Sequence, residues 1–314
     1  MMTFLILLIV LLVFMALFVV VWLWYLSSET NIAQRFMDVA IKAFDKENYT
    51  KAIPLLLRAL KSKKNSKAAL LTLSKSYSEM KNYAQAKETF EKLLKLNPKD
   101  FDTLSNYAQM LQADKKNDEA KEFYNKALIE NPKSVDCHFN LGVVLFSEGG
   151  FEKALESFGK AQELAPTRVD VSVYIVKCKD EICSYETAEE GQAIIDEYLN
   201  LAEKPNLPTS YGVDLAKAYA KNGQINEAFE KCKESINAND KDIEGYKLMG
   251  LIQLLKNEPV DSKNHLSTAI SIDMRDEEVH NILSYVLCQH DDRCIVDKCR
   301  QKYHEKVSNL LSKK

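Results

Sequence analysis

Pro98, Pro132 and Pro166 stand 34 residues apart, and the same step separates Ala86, Ala120 and Ala154 and the aromatic series Phe90, Tyr124 and Phe158. A fixed period in the range of roughly 20–50 residues marks a chain assembled from repeated supersecondary units, each too small to bury its apolar face alone. This register constrains the fold more than any bulk property does. It calls for modules that contact only their sequence neighbours, so a single globular core is not expected.

The content of one block says what the module is. In residues 67–100, Leu70, Leu73 and Tyr77 share one face of a helical pattern, and Ala86, Phe90, Leu93 and Leu94 share another. Steps of three and four place side chains on one side of a 3.6-residue helix. The polar stretch Lys81-Asn82-Tyr83 reads as the turn between the two helices. Pro98 stops the second helix, because it lacks a backbone N–H and clashes with the preceding turn. Each block is therefore a helical hairpin, with the small residues Ala86, Ala120 and Ala154 allowing close approach of its two helices.

These residues resemble the tetratricopeptide repeat. That family uses a large residue at position 4, Leu at 7, a small residue at 8, aromatics at 11 and 24, Ala at 20 and 27, and Pro at 32. Positions 7 and 8 are here Leu73-Ser74, Tyr107-Ala108 and Leu141-Gly142, and position 27 is Leu93, Ala127 and Ala161. The resemblance implies an all-α fold, a TPR-type α-solenoid of antiparallel helical hairpins. Continued in both directions, the register predicts about seven units, over 33–66, 67–100, 101–134, 135–168, an irregular 169–208, 209–242 and 243–276. Residues 277–314 then read as C-terminal capping helices. The surplus residues of 169–208, around Lys204-Pro205-Asn206-Leu207-Pro208, are expected to form a longer helix rather than a hinge.

Before the repeats, Phe4–Leu26 runs for 23 residues without a charge, Gly or Pro. At about 1.5 Å per residue it spans the roughly 30 Å hydrocarbon core of a bilayer. Trp22, Trp24 and Tyr25 gather at its end, where aromatic belts sit. No basic n-region precedes it and no small-x-small cleavage site follows, so a cleaved signal peptide is disfavoured. Residues 1–28 are thus expected to be a single-pass transmembrane anchor, a transmembrane helix preceding the solenoid. Arg35, Lys42, Lys46 and Lys51 on its C-terminal flank favour a cytoplasmic location for the repeats.

Chemistry is scarce. The chain has a formal net charge of −3, and nucleic acid is not an expected partner. From Arg293 onward seven Lys/Arg face two Asp/Glu, which reads as a solvated cap. Seven cysteines at irregular spacing do not form a disulfide framework and favour a reducing compartment. Cys288, Cys294 and Cys299 with His290 and His304 lack the short paired spacing of zinc sites, so no metal is expected. No phosphate-binding, dinucleotide, zincin or nucleophile-elbow motif occurs. No cofactor, catalytic residue or enzyme activity is expected.

What remains is a binding surface. The family resemblance implies that positions 2, 5, 6, 9 and 12 of each first helix line a concave groove. Here these include Lys75, then Asp102, Asn106 and Gln109, then Asp136, Phe139, Asn140, Val143 and Phe146. An Asn amide offers one acceptor and two donors, so Asn106 and Asn140 could pair with a peptide backbone while Phe139 and Phe146 take apolar side chains. The clamp by which some members hold chaperone C-termini is absent, since Leu71 and Lys75, or Ser105 and Gln109, stand where its Lys–Asn pair belongs. The expected role is a membrane-anchored scaffold or adaptor for protein or peptide partners, touching the lipid bilayer through residues 4–26. Two alternatives are an envelope-assembly subunit similar to the lipopolysaccharide assembly protein B family, whose paired C-x-x-C motifs are missing here, and a membrane-bound protein-import receptor.

Overall fold

The structure is a computed structural model that describes residues 14–15, 17–22 and 32–288, the side chains of Tyr285, Leu287 and Cys288 excepted. Between 32 and 288 it forms fifteen helices and no strand. These are α1 over 32–44, α2 Tyr49–Ser62, α3 Lys67–Glu79, α4 Tyr83–Leu96, α5 Phe101–Ala113, α6 Asn117–Glu130, α7 Val135–Ser147 and α8 Phe151–Leu164. They continue as α9 Val169–Ile182, α10 Ala188–Leu201, α11 Tyr211–Lys221, α12 Ile225–Ala238, α13 Ile243–Leu255, α14 Pro259–Ile272 and α15 Glu277–Cys288. The chain divides into two compact units, Met1–Val144 and Leu145–Lys314, with the division inside α7.

In the first unit α3 packs on α2, α4 and α5, and α5 on α4 and α6. The small residues Ala52, Ala86 and Ala120 are wholly buried, as are Leu56, Phe90 and Tyr124 four residues after each. Burying one such large side chain is worth roughly 1.5–3 kcal/mol, so the repeated pair anchors every hairpin. Phe90 also stacks on Tyr107 of the next hairpin at 5.2 Å, and Tyr107 meets Phe123 at 4.5 Å. The second unit repeats the scheme with Ala154 and Phe158, Ala228 and Cys232, and Ser262 and Leu266.

Two local devices recur with the period. Six of the seven turns inside hairpins share one left-handed residue: Glu47, Lys81, Lys115, Gly149, Gly223 and Asn257 have φ between 58° and 78°. The N–H after it bonds back to the carbonyl five residues earlier, as in Asn82 to Tyr77 and Lys116 to Leu111. This is the Schellman closure of the first helix, and the same residue opens the second. Between hairpins, Ser66, Asp100, Ser134 and Asp242 cap the following helix by accepting a backbone N–H. Asn97, Asn131 and Asn239, three residues before the last three of these caps, fold the chain back through side-chain bonds to Lys99, Lys133 and Lys241.

Two expectations need correction. Tyr83 is the first residue of α4 rather than part of the turn, which occupies 80–82. The irregular unit contains no lengthened helix: α9 and α10 have 14 residues each. The surplus lies in the loops at 183–187 and 202–210, so the buried side chains Phe158, Ile195 and Cys232 step by 37 residues. The widened path leaves room for polar groups. Asp180 accepts from the Tyr185 hydroxyl and from Lys221 Nζ at 3.2 Å, and Lys221 also reaches Glu181 at 3.0 Å. Gly191 is required here, since a Cβ would stand 2.1 Å from Asn222 Oδ1.

Most of the expected anchor, residues 4–13 and 23–26, lies outside the described residues, as do 289–314 of the expected cap. The described 14–15 and 17–22 are helical, with Phe18 and Trp22 stacked at 6.0 Å. Among the described residues no helix is long and apolar enough to cross a membrane.

Candidate peptide-binding groove

The first helices of successive hairpins, α1, α3 and α5, contribute to one open pocket of about 410 Å³ in the first unit. Three of the predicted residues line it together: Lys75 from α3, and Asn106 and Gln109 from α5. Lys75 and Asn106 are half-buried and Gln109 is exposed. Asn106 Nδ2 donates to the Asp102 carbonyl at 2.5 Å, which leaves one amide hydrogen and the amide oxygen for a ligand. Phe44 and Tyr83 supply apolar surface to the pocket, which the buried Phe90 and Met110 border. Phe44 and Tyr83 went unnoticed in the sequence, although Phe44 occupies position 12 of its unit and so falls on the groove pattern.

The other predicted residues have different settings. Asp102 is exposed, 3.1 Å from Lys67 Nζ. Lys67 also bonds Asp100 at 2.6 Å. Burial opposes the Asp100 charge, but bonds from Lys67 and Thr103 outweigh it and hold the carboxyl below its ordinary value. Asp136 is exposed on α7, while Phe139, Asn140 and Val143 are half-buried there, outside the pocket. Asn140 donates to the hydroxyl of Tyr124, which itself donates to Gln112 Oε1 at 2.8 Å. Burial pushes that hydroxyl far above the usual tyrosine value. The Asn140 amide is therefore engaged with a core tyrosine. Phe146 belongs to the second unit, edge-on to Phe151 at 5.2 Å and Tyr174 at 5.8 Å.

Reactive chemistry is not assembled around these residues. Burial pushes the thiols of Cys178 and Cys232 up to about 12, which keeps them protonated at neutral pH. Among the described residues no three His, Cys, Asp or Glu side chains gather as metal ligands. Cys294, Cys299, His290 and His304 lie outside the described residues.

The family model of the cytochrome c-type biogenesis protein H TPR domain matches residues 22–170. No curated protein matches the chain in sequence. Among solved structures, the chain is similar to a tetratricopeptide repeat protein of Parabacteroides merdae, with TM-score 0.70 and 17% identity over 82% of this chain and 99% of that one. It is also similar to PilF of Pseudomonas aeruginosa, with TM-score 0.57 and 16% identity over 69% and 96%. The C-terminal part of a TPR repeat-containing protein of Cytophaga hutchinsonii aligns with TM-score 0.53 and 17% identity over 79% and 99%. At such identities the likeness concerns the fold. Period, hairpin geometry and these similarities agree on the fold: the described residues form an all-α, tetratricopeptide-repeat-like array of helical hairpins.

Proposed function

We propose that this chain is a membrane-anchored scaffold that holds protein or peptide partners in the groove of its first unit. The observation that carries this reading is the pocket along α1, α3 and α5, where Lys75, Gln109 and part of the Asn106 amide face open space over an aromatic floor. A groove of this kind binds an extended segment by polar pairing and apolar pockets, without turnover. The anchor rests on the uncharged run Phe4–Leu26 and on the exposure of Phe14, Leu17, Phe18 and Trp22. Arg35, Lys42, Lys46 and Lys51 on the flank of that run favour a cytoplasmic location for the repeats.

The test is proximity labelling in the native cell, with the label fused after Lys314, for the wild type and for Asn106→Ala/Gln109→Ala. A recurrent set of cytosolic proteins that the double variant loses supports the scaffold. The same set in both overturns the groove, and a lumenal or extracellular set overturns the orientation. The match of residues 22–170 to a cytochrome c-type biogenesis domain favours a second reading, in which the partner belongs to cytochrome c maturation. Labelled c-type cytochromes would select it.

A further inference from the structure

Three hairpins carry a lysine at position 9 of the first helix: Lys75, Lys177 and Lys217. Two of them are neutralised by a carboxylate of the next hairpin. Lys177 Nζ lies 3.1 Å from Asp214 Oδ2, and Lys217 Nζ lies 3.4 Å from Glu244 Oε2. Asp214 occupies position 6 of its unit. Opposite Lys75 that position is Asn106, an amide of nearly the same shape with no charge, and Asp102, at the position that Glu244 holds in its unit, lies 3.1 Å from Lys67 and outside the pocket. Among the described residues Lys75 makes neither a hydrogen bond nor an ion pair, although it is half-buried. A cation partly withdrawn from water without a counter-charge is unfavourable until an anion reaches it.

The rest of the pocket narrows the anion. Lys81 adds a second positive charge and Glu79 one negative charge, which leaves an excess of one cation. Gln109 and the remaining Asn106 hydrogen are donors suited to carboxylate oxygens. Phe44 and Tyr83 provide apolar surface in the same cavity. We propose that the pocket over Lys75 recognises a carboxylate next to an aromatic or large apolar side chain, supplied by an acidic peptide segment. This rests on the groove being a peptide-binding surface. The chain uses an internal carboxylate at this position in its second unit and leaves the place open for an external one in its first.

The full chain is titrated with three short N-acetylated probes. One is C-amidated with aspartate beside phenylalanine, the second is its asparagine counterpart, and the third ends in phenylalanine with a free C-terminal carboxylate. The expected result is that a carboxylate-bearing probe binds the wild type about tenfold or more tightly than the asparagine probe, with a preference that shrinks as salt rises. Which carboxylate probe binds better identifies a side chain or a chain terminus as the source. Lys75→Gln, and Asn106→Asp, which rebuilds the Lys177–Asp214 arrangement, should erase the preference for a carboxylate while leaving the thermal midpoint in place. Equal binding of charged and uncharged probes to the wild type overturns the carboxylate and keeps the groove. Absence of binding by all three overturns both. A preference that persists in both variants places the anion elsewhere and also overturns the inference.

Discussion

Lys221, at the end of α11, places its ammonium 3.2 Å from the carboxylate of Asp180 on α9, with their side chains 19% and 6% exposed. The pair closes the irregular unit, where the loop at 183–187 also brings the Tyr185 hydroxyl onto Asp180. Burial raises the Asp180 value, and Lys221 and Tyr185 act against it. Lys221→Met strands a buried carboxylate. The expected cost is about 3 kcal/mol, at the low end for breaking a buried pair because Tyr185 still donates. Asp180→Asn/Lys221→Met should recover most of the loss. Chemical denaturation measures both, and an additive double variant would show that the pair is not coupled.

Two buried tyrosines should respond in opposite directions to loss of the hydroxyl. Tyr124 bridges Gln112 and Asn140, so Tyr124→Phe leaves two polar groups without a partner and should destabilise by about 1–2 kcal/mol. The Tyr198 hydroxyl is buried and has no hydrogen-bond partner among the described residues. Tyr198→Phe removes an unsatisfied group and should be neutral or stabilising by up to about 1 kcal/mol. Thermal melts of the two variants side by side check the contrast.

Backbone strain and crowding are separable at three glycines. Gly149 has φ 78° and open space around its Cβ position, so Gly149→Ala should cost about 1 kcal/mol through backbone strain alone. Gly159 lies within α8 with equally open space and ordinary φ, and Gly159→Ala should stabilise by roughly 0.5–1 kcal/mol. At Gly250 a Cβ would stand 2.7 Å from Leu266 Cγ, and Gly250→Ala should cost about 1–3 kcal/mol by overpacking. By the same logic Lys115→Gly, at φ 61°, should stabilise by about 1 kcal/mol. Equal effects at Gly149 and Gly159 would refute the strain argument.

Acid sensitivity should concentrate at Lys247, which is 7% exposed and lies 2.7 Å from Glu244, 2.9 Å from Glu278 and 3.3 Å from Asp276. Burial opposes the charges of Glu244 and Asp276, but the lysine and backbone bonds outweigh it and hold both carboxyls below their ordinary values. A carboxylate with a depressed folded value stabilises above its unfolded value, about 4, and loses that contribution as the pH falls through the folded one. Stability should therefore drop below about pH 4. Lys247→Met should flatten that slope and cost about 2 kcal/mol at neutral pH, since Glu244 and Glu278 keep contact with water. An unchanged slope of the unfolding midpoint between pH 5 and 3 in the variant would sink this assignment.

The hairpins were legible because their determinants are local. Ala86 and Phe90, or Ala120 and Tyr124, lie one helical turn apart, and the prolines mark the same point in three consecutive blocks. The unit after Arg168 was misread because Pro205 and Pro208 signal irregularity without saying whether surplus residues enter a helix or a loop. Burial of Ile195 against its neighbours decided for the loops. The groove was legible by position and less so by role. Asn106 and Asn140 hold equivalent places in the repeat, yet Asn140 bonds Tyr124. A hydroxyl replaces the usual phenylalanine at that core position, and its partner sits on the next hairpin.

From the sequence alone came the period, the helical hairpin as the module and the positions that face its core, because each depends on residues a few places apart and on the rise of a helix. Tertiary structure decided which polar groups are engaged and which stay open. Lys177 meets Asp214, while Lys75 makes no ion pair among the described residues. That difference arises between hairpins more than thirty residues apart, where the distance between side chains is set by packing rather than by spacing along the chain.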